Sequence, residues 1–587
     1  MTFPSAMFAI LPLVLAPVSP RDATVSDATT LANLDPSALQ LAMARLATDH
    51  PDLVTVISVG ESRQKRRIDA LRLAAGAPAP GRPALLIVAN VDGPLVWTSS
   101  LAVQHARDLA ARYATDARVK ALLDTTTIYV VPRANPDAAQ ARFESPLREQ
   151  RASGPGVDDD RDGRMGEDPP LDVDGDGLVT WMRVPDPEGE WIADPSDPRA
   201  LIRADRARGQ RGTWKLVREG RDSDRDTVAS EDAELDVDVN RNFPQGWSEH
   251  APDAGRFPTD EPETRALCDF VVQHREIALV MTYGELDDVV EKPRVEAKRP
   301  RQSANPSAGI PEDDVALYAE LGRRFQTSGA GSKGSGTDGG TFQAWVKAQR
   351  GLWGVDVAPW SIPLDAPAPA SAGASAGDAN ATPADESAKP DKKDKSDKKG
   401  SKNDDDAPSD DAKRLRWIDA HTDGVRFVPW KSFAHPELGP VEIGGFAPFA
   451  RLEPPLDERA EIARKNTEFL IVLGESLARV RVVDARARDL AGGLWEVTAA
   501  VENDSLLPHP SQLGVRTGAV RPLRVSLTLP QGAQVLAGRT VELVESLSGG
   551  GGRREFRWLV RGSAPSDMRV AVDSDSAGAS SVAVEVK

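Results

Sequence analysis

Between Asp35 and Tyr113 the apolar positions alternate between helical spacing and short β-branched runs, the pattern of a layered α/β domain. DPSALQLAMARLATDH (35–50) opens with Asp-Pro-Ser and continues at helical spacing, which predicts a helix. VTVISVG (54–60) and RRIDALRLA (66–74) predict a hairpin, and ALLIVANV (84–91) a buried strand running into an apolar helix from about Leu95 to Ala111. TTIYVVPRANPD (126–137) predicts another buried strand ending in an Asn-Pro-Asp turn. ETRALCDFVVQH (263–274) and IALVMTYG (277–284) predict a helix and a strand.

Periodicity fails in two places. Residues 145–235 are charged, rich in Gly and Pro, and read as a long acidic insertion. Residues 366–413 hold almost no large apolar side chain, so they cannot offset the entropy of ordering and are expected to be a disordered low-complexity loop. Order is expected again from RWIDAHTDGVRFVPW (416–430), with an amphipathic helix near 456–480. From about 485 to 587, short alternating runs such as LWEVTAAVEN, LRVSLTLP and EFRWLVRG are separated by turn signals, which predicts a small β-sandwich.

Composition narrows the partners. A chain of 587 residues exceeds one ordinary core, so at least two folded domains are expected. A net charge of −18 argues against nucleic acid as the main partner. One cysteine, Cys268, excludes an intramolecular disulfide and a Cys-x-x-Cys metal site. Residues 1–20 form an apolar run of signal-peptide length, which predicts a secreted or periplasmic protein, and no later segment is long and apolar enough to predict a membrane span.

Four motifs carry the chemistry. DVDVNRNFPQGW (236–247) sets Asn240 beside Arg241, an amide donor next to a planar fork matched to a carboxylate. PRANPD (132–137), EPETRAL (261–267) and GTDGGTFQAWVKAQRGLW (336–353) flank it upstream and downstream. In this order the four resemble the zinc-carboxypeptidase (M14) family over residues 35–365, and HPELGPVEIGG (435–445) carries the likeness into 414–480 beyond the low-complexity loop. The resemblance implies a carboxypeptidase-like mixed sheet sandwiched by helices, with the β-sandwich appended. It also implies that Asn240 and Arg241 hold a substrate's terminal carboxylate and that an arginine after the Asn-Pro-Asp turn, Arg151 in preference to Arg148, steadies the oxyanion.

The same resemblance implies a zinc held by His-x-x-Glu after the strand ALLIVANV and by a second His in IALVMTYG. Here those positions read Asp92, Leu95 and Met281, and none of the seven histidines begins a His-x-x-Glu. One carboxylate, a hydrocarbon and a thioether do not make a zinc site. The catalytic base aligns with Ala358; Asp356 and Glu442 are the nearby carboxylates. A different metal signal lies in the insertion, where Asp158, Asp160 and Asp162, and again Asp172, Asp174 and Asp176, alternate ahead of a glycine as in calcium loops. Glutamate is missing from the twelfth position of both, which hold Pro169 and Arg183.

These features predict an exported carboxypeptidase homologue, catalytically inactive, that binds peptide C-termini or other carboxylates. Two alternatives remain open: an active metallocarboxypeptidase with an unusual metal held by Asp92 and other carboxylates such as Glu285, and a structural or cell-surface protein that binds through its β-sandwich.

Overall fold

The structure is a computed structural model that describes residues 31–153, 168–222, 230, 237–295, 309–336, 339–364, 408–421, 424–562 and 567–586. The candidate signal segment, the loop of Asp158, Asp160 and Asp162, and nearly all of 366–413 lie outside them.

Strands β1 (Val54–Glu61), β2 (Arg67–Leu73), β3 (Ala84–Ala89) and β4 (Thr127–Val131) begin the main sheet. Strands β5 (Trp181–Pro185), β6 (Trp191–Asp194), β7 (Asp197–Arg203) and β8 (Trp214–Arg218) follow in the insertion, and β9 (Ile277–Tyr283) and β10 (Trp353–Val357) return to the main sheet. Its order is β1-β2-β4-β3-β9-β10, antiparallel across β1, β2 and β4 and parallel from β4 through β10.

Alternate residues of these strands point to opposite faces, and both faces are buried in β3, β4, β9 and β10, while the edge strand β1 is largely exposed. Leu85, Ile87, Leu279, Met281 and Val355 pack with helices Pro36–Asp49, Trp97–Arg112, Glu312–Ser328 and Leu456–Ser476. Leu86, Val88 and Val280 pack with helices Pro262–Gln273 and Phe342–Ala348 on the other face. The hairpin, strands and helices expected from periodicity therefore form a helix-covered mixed sheet.

The acidic insertion is more regular than its sequence suggests. Strands β5 to β8 join β11 (Phe427–His435) and β12 (Gly439–Phe446) in a second, six-stranded antiparallel sheet ordered β11-β12-β5-β8-β6-β7. Guanidinium groups lie over its indole rings: Arg183 between Trp214 and Trp430, Arg218 on Trp181, and Arg203 on Trp191. Such Arg-Trp stacking gives charged strands an apolar contact surface that a hydrophobic-periodicity search does not register. Helix Asp410–Asp419 likewise begins inside the segment expected to be disordered; Ser409 caps it by accepting from the Ala412 amide, and Ala412 and Leu415 are buried.

The C-terminal unit is a two-layer β-sandwich, beginning with β13 (Val480–Asp489) and β14 (Leu494–Asn503) directly after helix Leu456–Ser476. One layer adds β16 (Gln534–Ala537), β18 (Gly552–Arg561) and β21 (Glu585–Val586). The other contains β15 (Leu523–Thr528), β17 (Val541–Val544), β19 (Arg569–Asp573) and β20 (Ala579–Ala583). It is docked on the first domain: the Gln512 amide donates to Asp314, Ser511 Oγ donates to the Gly351 carbonyl, and a Cβ at Gly351 would lie 2.3 Å from the Gly514 Cα.

A buried ion triad ties helix Phe342–Ala348 to the sheet. Lys347 Nζ lies 2.5 Å from Asp288 and 3.2 Å from Asp356, and the Asp356 amide donates to Asp288. Removing the cation would leave two carboxylates buried without their counter-charge. Lys347→Met is expected to lower unfolding free energy by about 3–5 kcal/mol in denaturant titration, and Lys347→Arg by less.

Candidate functional site

The site forms where β3, β9 and the short helix Val239–Arg241 meet. Beyond β3 the chain turns at Asn90, whose φ of 55° is left-handed and whose side-chain amide donates to the carbonyls of Asp92 and Gly93. At Gly93 a Cβ would sit 2.7 Å from the Gln150 carbonyl oxygen and 2.9 Å from that of Arg151, so only glycine lets that segment approach. Asn135 of the Asn-Pro-Asp turn fixes the same segment by donating to the Arg151 carbonyl. Arg151 is thereby delivered to the site and pairs with Glu285. Arg148, the other arginine at this spacing, pairs with Glu144 on the surface.

Asp92 is the centre of the arrangement. It is 5 % exposed; Oδ1 accepts from Asn240 Nδ2 at 2.7 Å and Oδ2 from the Glu285 amide at 2.8 Å. Gly284 makes room for it, since a Cβ there would lie 2.7 Å from Asp92 Oδ2. Asn240 Oδ1 in turn accepts from the Phe342 amide. Asn240, the residue expected to grip a ligand's carboxylate, bridges Asp92 to the loop before helix Phe342–Ala348. Arg241 stays at the rim, about a third exposed, and donates from Nη1 to the Gly339 carbonyl.

The zinc positions do not fit zinc. Met281 is fully buried in the apolar core, and Leu95 is 3 % exposed in the turn entering helix Trp97–Arg112. Both oxygens of Asp92 are engaged by protein donors. No imidazole occupies either expected histidine position. Such a set lacks the nitrogen ligands and open coordination position of a catalytic zinc.

The three base candidates are also removed from this role. Ala358 offers only its carbonyl, which accepts from the Ser332 amide. Asp356 is locked in the Lys347 triad. Glu442 lies in the second sheet, opposite Arg183 and bonded to it at 2.6 Å.

Asp238 was not evident as a site residue from its sequence, although it stands two positions before Asn240. It is buried, and its carboxylate accepts from the Asn240 amide nitrogen. Burial and then the charge of Asp92 push its pKa up to about 7, against the pull of Arg151. The Asp92 pKa is also raised, by burial and then by Glu285, against the Asn240 hydrogen bond.

Among the described residues, the one group of three acidic, His or Cys side chains with ligand atoms all within 4.8 Å of one another is Asp172, Asp174 and Asp176. Its donors are hard oxygens, the ligand type calcium takes. Asp172 also accepts from the amides of Gly175, Asp176 and Gly177, which shapes the turn.

The zinc carboxypeptidase family model matches residues 40–175 and 204–353, the segments that supply β3, the Asn-Pro-Asp turn, Asn240, Arg241 and β9. The chain belongs to the M14 zinc carboxypeptidase-like family. Mouse carboxypeptidase D is 32 % identical over 141 residues, covering 21 % of this chain and 10 % of that protein. A zinc carboxypeptidase of Saccharothrix mutabilis subsp. capreolus is 32 % identical over 94 residues, 16 % of this chain and 22 % of that one. The matched region thus spans between a tenth and about a fifth of these relatives.

Among solved structures, thrombin activatable fibrinolysis inhibitor aligns over 57 % of this chain and 69 % of its own, with 14 % identity and a TM-score of 0.34. The metallo-carboxypeptidase from Burkholderia cenocepacia aligns over 55 % and 59 %, with 12 % identity and a TM-score of 0.28. Residues 479–585, the sandwich, match a domain family of unknown function, DUF8731. The M14 match omits 176–203, so β5, β6 and β7 of the second sheet lie outside it.

The raised Asp238 and Asp92 pKa values set a pH dependence. A carboxyl with a raised folded pKa binds more protons in the folded than in the unfolded state, so its stabilisation is complete below the unfolded pKa and is lost as pH rises through the folded one. For Asp238, stability should therefore fall as the pH rises from about 4 to about 7, with a slope on the order of 1.4 kcal/mol per pH unit. Asp238→Asn should flatten that slope in thermal unfolding measured across the range. An unchanged slope would contradict the assignment.

Proposed function

We propose that this M14-family protein is exported and binds the free carboxylate of a peptide or similar ligand without hydrolysing it. The observation that supports the reading is the double engagement of Asp92. At the position where the family resemblance implies a zinc-ligating histidine, a carboxylate spends both oxygens holding Asn240 and the Glu285 amide. With Leu95 and Met281 buried, hydrolysis lacks a group to polarise the scissile carbonyl or the attacking water.

Binding is assigned to Arg241 and Arg151. Arg241 presents its fork at the rim, and Arg151 reaches the other side of Asp92 through Glu285. Asn240 becomes a support for this pair instead of a contact. Asp92 and Asp238 hold protons to higher pH than ordinary carboxyls, which reduces the negative charge facing a bound carboxylate.

The active-enzyme alternative would need Asp92 and Glu285 to share a metal, yet their contact is a backbone amide donating to a carboxylate. The test is titration calorimetry of the full chain with short N-acetylated peptides bearing either a free or an amidated C-terminus. Saturable binding of the free acid is expected, weakened at least about tenfold by Arg241→Ala and by amidation. Equal binding of acid and amide, or metal-dependent release of the terminal residue, would overturn it.

A further inference from the structure

The docking of the sandwich on the first domain leaves a cleft of about 780 Å³ on the side of β2 and β4, lined by both units. Five arginines from four segments line it: Arg72 on β2, Arg82 before β3, Arg275 after helix Pro262–Gln273, and Arg521 and Arg524 around the start of β15. In a chain of net charge −18 this concentration stands against the overall field.

Three acids in the lining offset the five guanidinium groups only in part, leaving an excess of positive charge. Glu276 accepts from the Tyr129 hydroxyl, and Asp573 and Asp575 lie 3.5 Å and 3.6 Å from Arg524 and Arg521. Arg275 makes no ion pair among the described residues.

Two donors in the wall of the cleft have no acceptor within the protein. Arg72 Nη2 and Arg82 Nε are buried and have no hydrogen-bond partner. The Nη atoms of Arg82 are held by the carbonyls of Ala75, Leu123 and Thr126, so its orientation is set by the fold. Burial, and then the neighbouring charge of Arg72, lower the Arg82 pKa, the direction expected where two guanidinium groups face each other without an anion between them.

A buried donor without an acceptor costs about 1–3 kcal/mol, so the wall of this cleft is stabilised by an anion or water that reaches these two groups. The wall is also pinned. The Gly578 amide donates to the Gly81 carbonyl at 2.7 Å, and a Cβ at Gly81 would lie 2.7 Å from the Ser574 carbonyl oxygen.

We propose that this interdomain cleft is a binding site for a phosphorylated small molecule, held by Arg72, Arg82, Arg275, Arg521 and Arg524. Guanidinium groups arriving from several segments suit a tetrahedral, multiply charged oxyanion better than one planar carboxylate. The cleft volume falls in the range of small-molecule sites, so the phosphate is one group of a larger ligand. Because both domains contribute arginines, the ligand would hold the sandwich to the carboxypeptidase-like domain. This site is separate from the Asp92 centre and does not depend on the reading of that centre.

The experiment uses the full chain in low-salt buffer, with pyrophosphate as the probe and citrate as the carboxylate comparator, followed by titration calorimetry and thermal unfolding. One saturable pyrophosphate site is expected, with a raised unfolding midpoint. Arg275→Gln and Arg524→Gln, both at exposed positions, should each weaken it at least about tenfold, while Arg464→Gln on a surface helix should change it by less than about twofold. Absence of saturable binding, or equal weakening by Arg464→Gln, would overturn the site. Citrate binding as tightly as pyrophosphate would overturn the phosphate assignment.

Discussion

The hydrogen bonds of one buried carboxylate organise the centre of this molecule. Asp92 joins the end of β3 to Asn240 and to the backbone beyond β9, and Asn240 passes the connection to Phe342. A catalytic zinc would tie the same strand ends together through coordination bonds. Here protein donors on Asp92 tie these strand ends together. Leaving Asn240 Nδ2 and the Glu285 amide without an acceptor would cost about 1–3 kcal/mol for each buried group. The small residues Gly93 and Gly284 are required by the same geometry, one for the approach of the Arg151 segment and one for the Asp92 carboxylate.

The main sheet was legible because its signal is local. Five short runs mark strands β1, β2, β3, β4 and β9, and the helices expected beside them show helical spacing, so each of these elements declares itself within about ten residues. The second sheet was not, because its pairing is distant: Arg183 sits opposite Glu442, and its apolar contacts are made by arginines lying on tryptophans. The same distance explains why Glu442 resembled a free carboxylate near the catalytic strand when its partner is in the insertion. Helix Asp410–Asp419 was hidden by its acidic first turn, which is a good helix start but matches the composition of the low-complexity segment before it.

At the site, the substitutions at Asp92, Leu95 and Met281 could be read directly, since they concern residue identity at fixed places in matched motifs. What the new residues do could not. The commitment of Asn240 depends on a carboxylate 148 positions away, and the choice between Arg148 and Arg151 depends on the close approach allowed by Gly93. The raised pKa of Asp238 is likewise a product of burial, which adjacent sequence does not encode. The matched M14 segments supply most of the main sheet and the residues around Asp92, while β5, β6, β7, β11 and β12 of the second sheet and the whole sandwich lie outside them.

Whether a hydrogen-bonded carboxylate has taken the place of the metal can be decided by the zinc content of the full chain. The protein would be equilibrated with zinc and freed of excess, and release of C-terminal residues from a peptide mixture followed alongside. No stoichiometric zinc at the Asp92 centre and no release are expected. One equivalent of zinc that is lost in Asp92→Ala, together with chelator-sensitive release, would contradict the replacement.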